Sequence, residues 1–156
     1  MASLPLLQIE SVSKNYGEHH VRALSAVTIN IERGEFVSLM GASGCGKSTL
    51  LNLIAGLDSA SSGRIIFDGA DVTKLADEAV TAVRAKKIGF VFQFFNLLST
   101  LTVEENVALP LELGGNTNAS ERQKRVLEML TQVGMESRLK FYPAQLSGGE
   151  MQRVAI

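Results

Sequence analysis

Apolar and polar residues alternate from Leu6 to Val12, the two-residue period of a half-buried strand. Turn chemistry follows at Asn15-Tyr16-Gly17-Glu18. Val21–Ile31 then resumes as a second strand, with Ala23, Val27, Ile29 and Ile31 as apolar positions. A polar turn, Glu32–Glu35, leads into Phe36-Val37-Ser38-Leu39-Met40, a continuous apolar run that predicts a buried strand. Beyond a glycine-rich loop, Thr49–Ala55 is apolar on most sides and predicts a buried helix, with Gly56 as its left-handed stop. A serine-rich loop at 59–63 precedes a short strand, Ile65-Ile66-Phe67, closed by Asp68-Gly69. Asp77 is placed to cap a helix reaching about Ala85, and Ile88–Phe92 predicts another buried strand.

From there the pattern becomes helical. Thr102-Val103-Glu104-Glu105 fits a capping box, and Pro110 is expected to limit the helix it opens. Ser120–Val133 places Val126, Leu127, Met129, Leu130 and Val133 on one face and ends at Gly134. Tyr142-Pro143 punctuates a loop. The chain thus reads as an α/β protein, with a β-rich part over 1–93 and a helical part over 94–150.

The composition is ordinary for a globular chain: 156 residues, 46% hydrophobic, 20% charged, formal net charge -1. Near-neutral charge excludes a dedicated nucleic-acid binder, which carries a strong basic excess. The single cysteine rules out an internal disulfide framework and fits a reducing compartment. The richest apolar stretch, Ile88–Leu98, is interrupted by Gln93 and Asn96 and is too short to span a bilayer. The N-terminus has no basic region before its leucines, unlike a signal peptide.

Chemistry is concentrated in one loop. Gly41-Ala42-Ser43-Gly44-Cys45-Gly46-Lys47-Ser48 fits G-x-x-x-x-G-K-[ST] between a predicted strand and a predicted helix. Glycines let successive N–H groups curl toward one point, and the following helix aims its positive end at the same place. Lys47 supplies a point charge for the β- and γ-phosphates, and Ser48 a hydroxyl oxygen for Mg²⁺. Cys45 reads as a filler rather than a thiol nucleophile, because the two histidines, His19 and His20, sit in a predicted turn.

A second motif, Leu146-Ser147-Gly148-Gly149-Glu150, reads locally as a capping box opening a helix. Its small residues also leave first-turn N–H groups open to a phosphate. With both motifs in place, the chain resembles the nucleotide-binding domain of ATP-binding-cassette (ABC) transporters. The first loop matches their Walker A motif, and LSGGE resembles the signature LSGGQ, with Glu150 in the glutamine position. Gln93 falls at the Q-loop, and Tyr16 matches the aromatic that stacks on adenine. The stretch from Phe90 to Leu98, with Leu101–Val107, is similar to the subgroup serving lipoprotein release and macrolide-type efflux.

The resemblance implies a P-loop NTPase (RecA-like) core, an N-terminal antiparallel β subdomain and a helical signature subdomain. It implies ATP held by Lys47 and the amides from Gly44 to Thr49, within a loop that begins at Gly41, Ala42 and Ser43. Mg²⁺ would be held by Ser48 and Gln93, and the adenine by Tyr16. Leu146, Ser147, Gly148, Gly149 and Glu150 would close over ATP held by the opposite protomer of a homodimer. The implied partner is a membrane-spanning transporter subunit, which would place the domain on the cytoplasmic face of the inner membrane.

The family's Walker B aspartate, catalytic glutamate and switch histidine have no match before Ile156. Asp68 follows an apolar run, but Gly69 comes next and the segment precedes Gln93, so it reads as a turn. The sheet is therefore expected to be incomplete, with apolar edges and poor stability in isolation. The leading reading is the ATP-binding subunit of an ABC transporter, of export or lipoprotein-release type, lacking its catalytic part. The alternatives are an ATP-binding module without hydrolysis, or an ABC ATPase of a non-transport class. A P-loop GTPase is disfavoured, since no N-K-x-D motif occurs.

Overall fold

The computed structural model describes residues 4–17, 21–115 and 118–156. Two compact units divide the chain, Met1–Gly89 and Phe90–Ile156. His19 and His20 lie outside the described residues.

The first unit is built on an antiparallel sheet of order β2-β1-β3-β4. Its strands are β1 (Leu7–Tyr16), β2 (Val21–Ile31), β3 (Ser62–Phe67) and β4 (Ala70–Asp71). β1 is central and pairs with both β2 and β3. Its inward residues are Leu7, Ile9 and Val12, so the apolar spacing changes from two to three at Ser11. That change is a β-bulge: the register slips on both sides of β1 there, and Ser11 has φ 49°. Its freed N–H donates to the Thr28 hydroxyl at 3.0 Å. Ala26, the matching irregularity on β2 with φ 47°, donates its N–H to the Ser13 hydroxyl at 2.9 Å. The bulge moves every later even-numbered residue of β1 onto the core side.

Helix α1 (Lys47–Ile54) packs Leu50 and Leu53 into one cluster with Leu7, Ile9, Val12, Leu24 and Ile65. Gly56 ends it with φ 64°, as expected. Helix α2 (Asp77–Lys87) starts at Asp77 itself. Ala76 is the N-cap, and Asp77 acts through its charge in the first turn.

Neither predicted buried strand forms. Phe36–Met40 and Ile88–Phe92 are non-sheet backbone, and Phe36 and Met40 are 94% and 89% exposed. An apolar run becomes a strand only when a neighbour pairs with it, and among the described residues none does.

The second unit is helical: α3 (Val103–Leu113), α4 (Ala119–Gln132) and α5 (Gly148–Ala155). Val103, Val126, Leu130, Met135, Leu146 and Val154 form its core. The Thr102–Glu105 capping box is present. Pro110, however, sits inside α3, which runs on to Leu113, with the Gly114 N–H donating to the Pro110 carbonyl at 3.0 Å. Val107, Ala108 and Leu111 pack on the core from both sides of the proline, so burial outweighs the lost amide donor. On α4, Val126 and Leu130 are buried while Leu127 is 46% exposed, so Leu127 stands off the predicted face.

Candidate nucleotide site

The loop of residues 41–46 and the first turn of α1 (Lys47–Ile54) form the candidate site. Ala42 accepts the Cys45 N–H at 3.3 Å, closing a tight turn, and Gly46 enters the helix with φ 95°. A Cβ at Gly46 would lie 2.6 Å from the Ala23 carbonyl oxygen and 2.8 Å from Leu24. Glycine is therefore required here both by backbone conformation and by the close approach of β2.

The start of α1 differs from every other helix of eight or more residues described. α3, α4 and α5 are capped by the side chains of Thr102, Asn118 and Ser147, and α2 carries Asp77 and Glu78 in its first turn. α1 has neither a side-chain cap nor an acid. The N–H groups of Lys47, Ser48 and Thr49 are thus offset by no side-chain cap and no acid in their own first turn, the electrostatic setting that suits a phosphate. Lys47 lies over the loop, its Nζ donating to the carbonyls of Gly41 and Ala42, each at 2.8 Å. The Cys45 sulfur is 3.5 Å from the same Nζ and is exposed.

Tyr16, at the end of β1, is in the same unit. Its hydroxyl donates to Asp58 Oδ2 at 2.7 Å, and Lys14 Nζ lies 4.8 Å from its ring centroid. Asp58, in the loop after α1, was not singled out by the sequence. No motif marks it, and only the fold brings it to Tyr16. The hydrogen bond to Asp58, then burial, raises the Tyr16 pKa above the ordinary range, while a hydrogen bond from Thr49 opposes this. For Asp58, burial works upward but is outweighed by hydrogen bonds from Lys14, Tyr16 and the Ser59 N–H, which hold it below the usual carboxylate range.

In the second unit, Gln93 is exposed in a turn where Phe92 accepts the Phe95 N–H at 3.1 Å. Leu146 is buried in the core and anchors the second motif. Ser147 and Glu150 form the capping box expected of them: Glu150 Oε2 accepts from the Ser147 N–H and hydroxyl, each at 2.8 Å. Arg138 Nε adds a contact to Glu150 at 3.3 Å. A Cβ at Gly148 or Gly149 would meet nothing within 4 Å, so packing does not require glycine at either position.

The ABC transporter family profile matches residues 24–156. The chain belongs to the ABC transporter family. It is an ABC transporter ATP-binding domain of the P-loop NTPase fold. Relatives include the macrolide export ATP-binding/permease protein MacB of Brucella melitensis, 44% identical over 100% of this chain and 24% of that protein. The methionine import ATP-binding protein MetN of Rhizobium johnstonii is 44% identical over 99% of this chain and 42% of that protein. A solved dimeric ATP-binding cassette, MJ0796, bound to ADP and phosphate in a post-hydrolysis state, is 46% identical with a TM-score of 0.89. It covers 96% of this ABC domain, which in turn spans 66% of that structure. The ABC domain therefore spans about a quarter to two-fifths of the curated relatives' length. The relatives it is similar to are thus named for both export and import, and among its described residues no helix is long and apolar enough to cross a membrane.

Proposed function

We propose that this ABC domain binds Mg-ATP through the loop at 41–49 and, in the complete transporter, powers a membrane-spanning partner. The observation that carries this reading is the uncapped, acid-free start of α1 beneath the Lys47 ammonium. The loop amides and Lys47 would hold the phosphates, and Tyr16 would offer its ring to the adenine. Ser48, in the first turn of α1, has the hydroxyl that Mg²⁺ takes alongside phosphate oxygens. Among the described residues no group of three or more His, Cys, Asp or Glu could hold a metal, and the Ser48 hydroxyl would hold the ion together with the oxygens of the bound phosphates. Mg²⁺ would screen the charge of the phosphates; Lys47 and the amides orient them.

Ser147, Gly148 and Gly149 would face the nucleotide of a second copy. The open space at both glycines supports this, because glycine is unfavourable in a helix and packing does not call for it there. The dimeric state of the solved cassette supports the same arrangement. Work on the cytoplasmic side of a membrane, through the permease, follows from this reading.

Titration calorimetry with ATP and Mg²⁺ tests the proposal. Binding should weaken at least about tenfold in Lys47→Ala while the fold is kept. Unchanged affinity in that variant overturns it.

A further inference from the structure

The bulge at Ser11 has a consequence for the end of β1. It turns Val12, Lys14 and Tyr16 onto the side of the sheet that carries α1, where Val12 is fully buried against Leu50 and Leu53. Without it, Ser13 and Asn15 would face that way. Lys14 and Tyr16 thus reach the loop that follows α1. There Asp58 receives Lys14 Nζ on Oδ1 at 2.5 Å and the Tyr16 hydroxyl on Oδ2 at 2.7 Å. Lys14 also donates to the Ser59 carbonyl at 2.7 Å, and the Ser59 N–H donates to Asp58 Oδ1 at 2.7 Å.

This is more than an incidental surface pair. The Lys14 side chain is only 12% exposed and that of Asp58 27%. The two Asp58 oxygens are divided between the lysine and the tyrosine, so one carboxylate sets both the position and the tilt of the ring. The Lys14 ammonium lies over the ring, which leaves the opposite face for a second π system. Tyr16 is nevertheless 41% exposed, so a base can reach it.

We propose that Asp58 and Lys14 are positioning residues that lock the Tyr16 ring as a one-faced platform for the nucleotide base. The proposal rests on the reading of Tyr16 as the adenine contact. A platform held before the ligand arrives loses less rotamer freedom on binding, and the affinity gain appears only for ligands that carry a base. The tether therefore separates base binding from phosphate binding, which depends on Lys47 and the loop amides.

The test compares ATP with inorganic triphosphate by titration calorimetry on the whole chain. Tyr16→Ala should weaken ATP about tenfold and leave triphosphate unchanged. Tyr16→Phe keeps the ring and removes the tether, and Asp58→Ala removes its anchor. Each should weaken ATP roughly three- to fivefold, Asp58→Ala at least as much as Tyr16→Phe because it frees Lys14 as well. The double variant should weaken it no further than Asp58→Ala alone, since the Tyr16 hydrogen bond is already lost there. Wild-type ATP affinity in Tyr16→Phe and Asp58→Ala, with Tyr16→Ala still impaired, overturns the tether alone. Wild-type affinity in Tyr16→Ala overturns the base-contact reading and the tether with it.

Spectroscopy provides a second readout. The chain has two tyrosines and no tryptophan, so Tyr142→Phe leaves Tyr16 as the sole ultraviolet chromophore of its kind. Its ionisation should lie above the ordinary tyrosine range and fall back toward it in Asp58→Asn, a substitution that preserves the shape of the loop. An unmoved midpoint would contradict the contact.

Discussion

Lys47 donates its ammonium protons to the carbonyl oxygen of Gly41, 2.8 Å away, so the lysine is oriented over the loop by the loop's own backbone. Because the site is exposed, this contact adds little to folding stability. Lys47→Ala should shift the unfolding midpoint by no more than a degree or two while ATP binding collapses. Differential scanning calorimetry beside binding titration checks the separation.

Gly44 and Gly46 both have positive φ, 79° and 95°, yet only Gly46 is also hemmed in by β2. Gly44→Ala should cost about 1 kcal/mol of backbone strain. Gly46→Ala should cost roughly 3 kcal/mol or more, because its Cβ would collide with the Ala23 carbonyl as well. Urea unfolding of the two variants measures the difference.

The Thr102 side chain is buried at 8% exposure and accepts the Glu105 N–H, while Glu105 Oε2 takes the Thr102 N–H and hydroxyl. Thr102→Ala should destabilise the helical unit by about 1–2 kcal/mol. Thr102→Ser should recover most of that. Helical circular dichroism followed through denaturation distinguishes them.

Stability should decline as acid is added. Glu105 is held below the ordinary glutamate range by the Thr102 N–H and then its hydroxyl, and Glu150 by the same groups of Ser147 and by Arg138. Asp68 is lowered by Lys87 and Arg33, and Asp58 by the contacts that outweigh its burial. For a depressed acid the unfolded chain takes up protons first, so the contribution is present above the unfolded pKa near 4 and is lost as pH falls through the folded one. Denaturation midpoints should hold from pH 7 to about 5 and drop below about pH 4. A flat profile to pH 3 would contradict these contacts. Lys140, raised by its hydrogen bond to Glu104, adds the mirror-image loss at strongly alkaline pH.

Gly149→Ala sets the folding role of the second motif against its binding role. The space is open and the position is helical, so alanine should stabilise α5 by about 0.5–1 kcal/mol. ATP-induced dimerisation, read by light scattering, should nevertheless weaken. Stabilisation without any loss of association would remove the signature from the trans site.

What the sequence makes legible is local. Val21–Ile31 is a strand at the predicted bounds, and the boxes at Thr102 and Ser147 form because donor and acceptor are three residues apart. What it hides depends on distant partners. Phe36–Met40 carries strand character but finds no neighbour to pair with, and Pro110 is absorbed by packing on both sides of it. The glycine loop could be read residue by residue. Asp58 could not, since its role arises only when the bulge brings Tyr16 to it from 42 positions away in the chain. The interval of three between Ile9 and Val12 was the available clue.

On the proposed reading, the bare start of α1 would also make the ligand part of the folding equilibrium. A phosphate bound there completes a helix end that the chain's own side chains leave open, so the folded form alone gains from it. At a hundredfold excess over the dissociation constant, the folded state is favoured by about 2.7 kcal/mol. The melting temperature of this domain then becomes a direct gauge of nucleotide concentration.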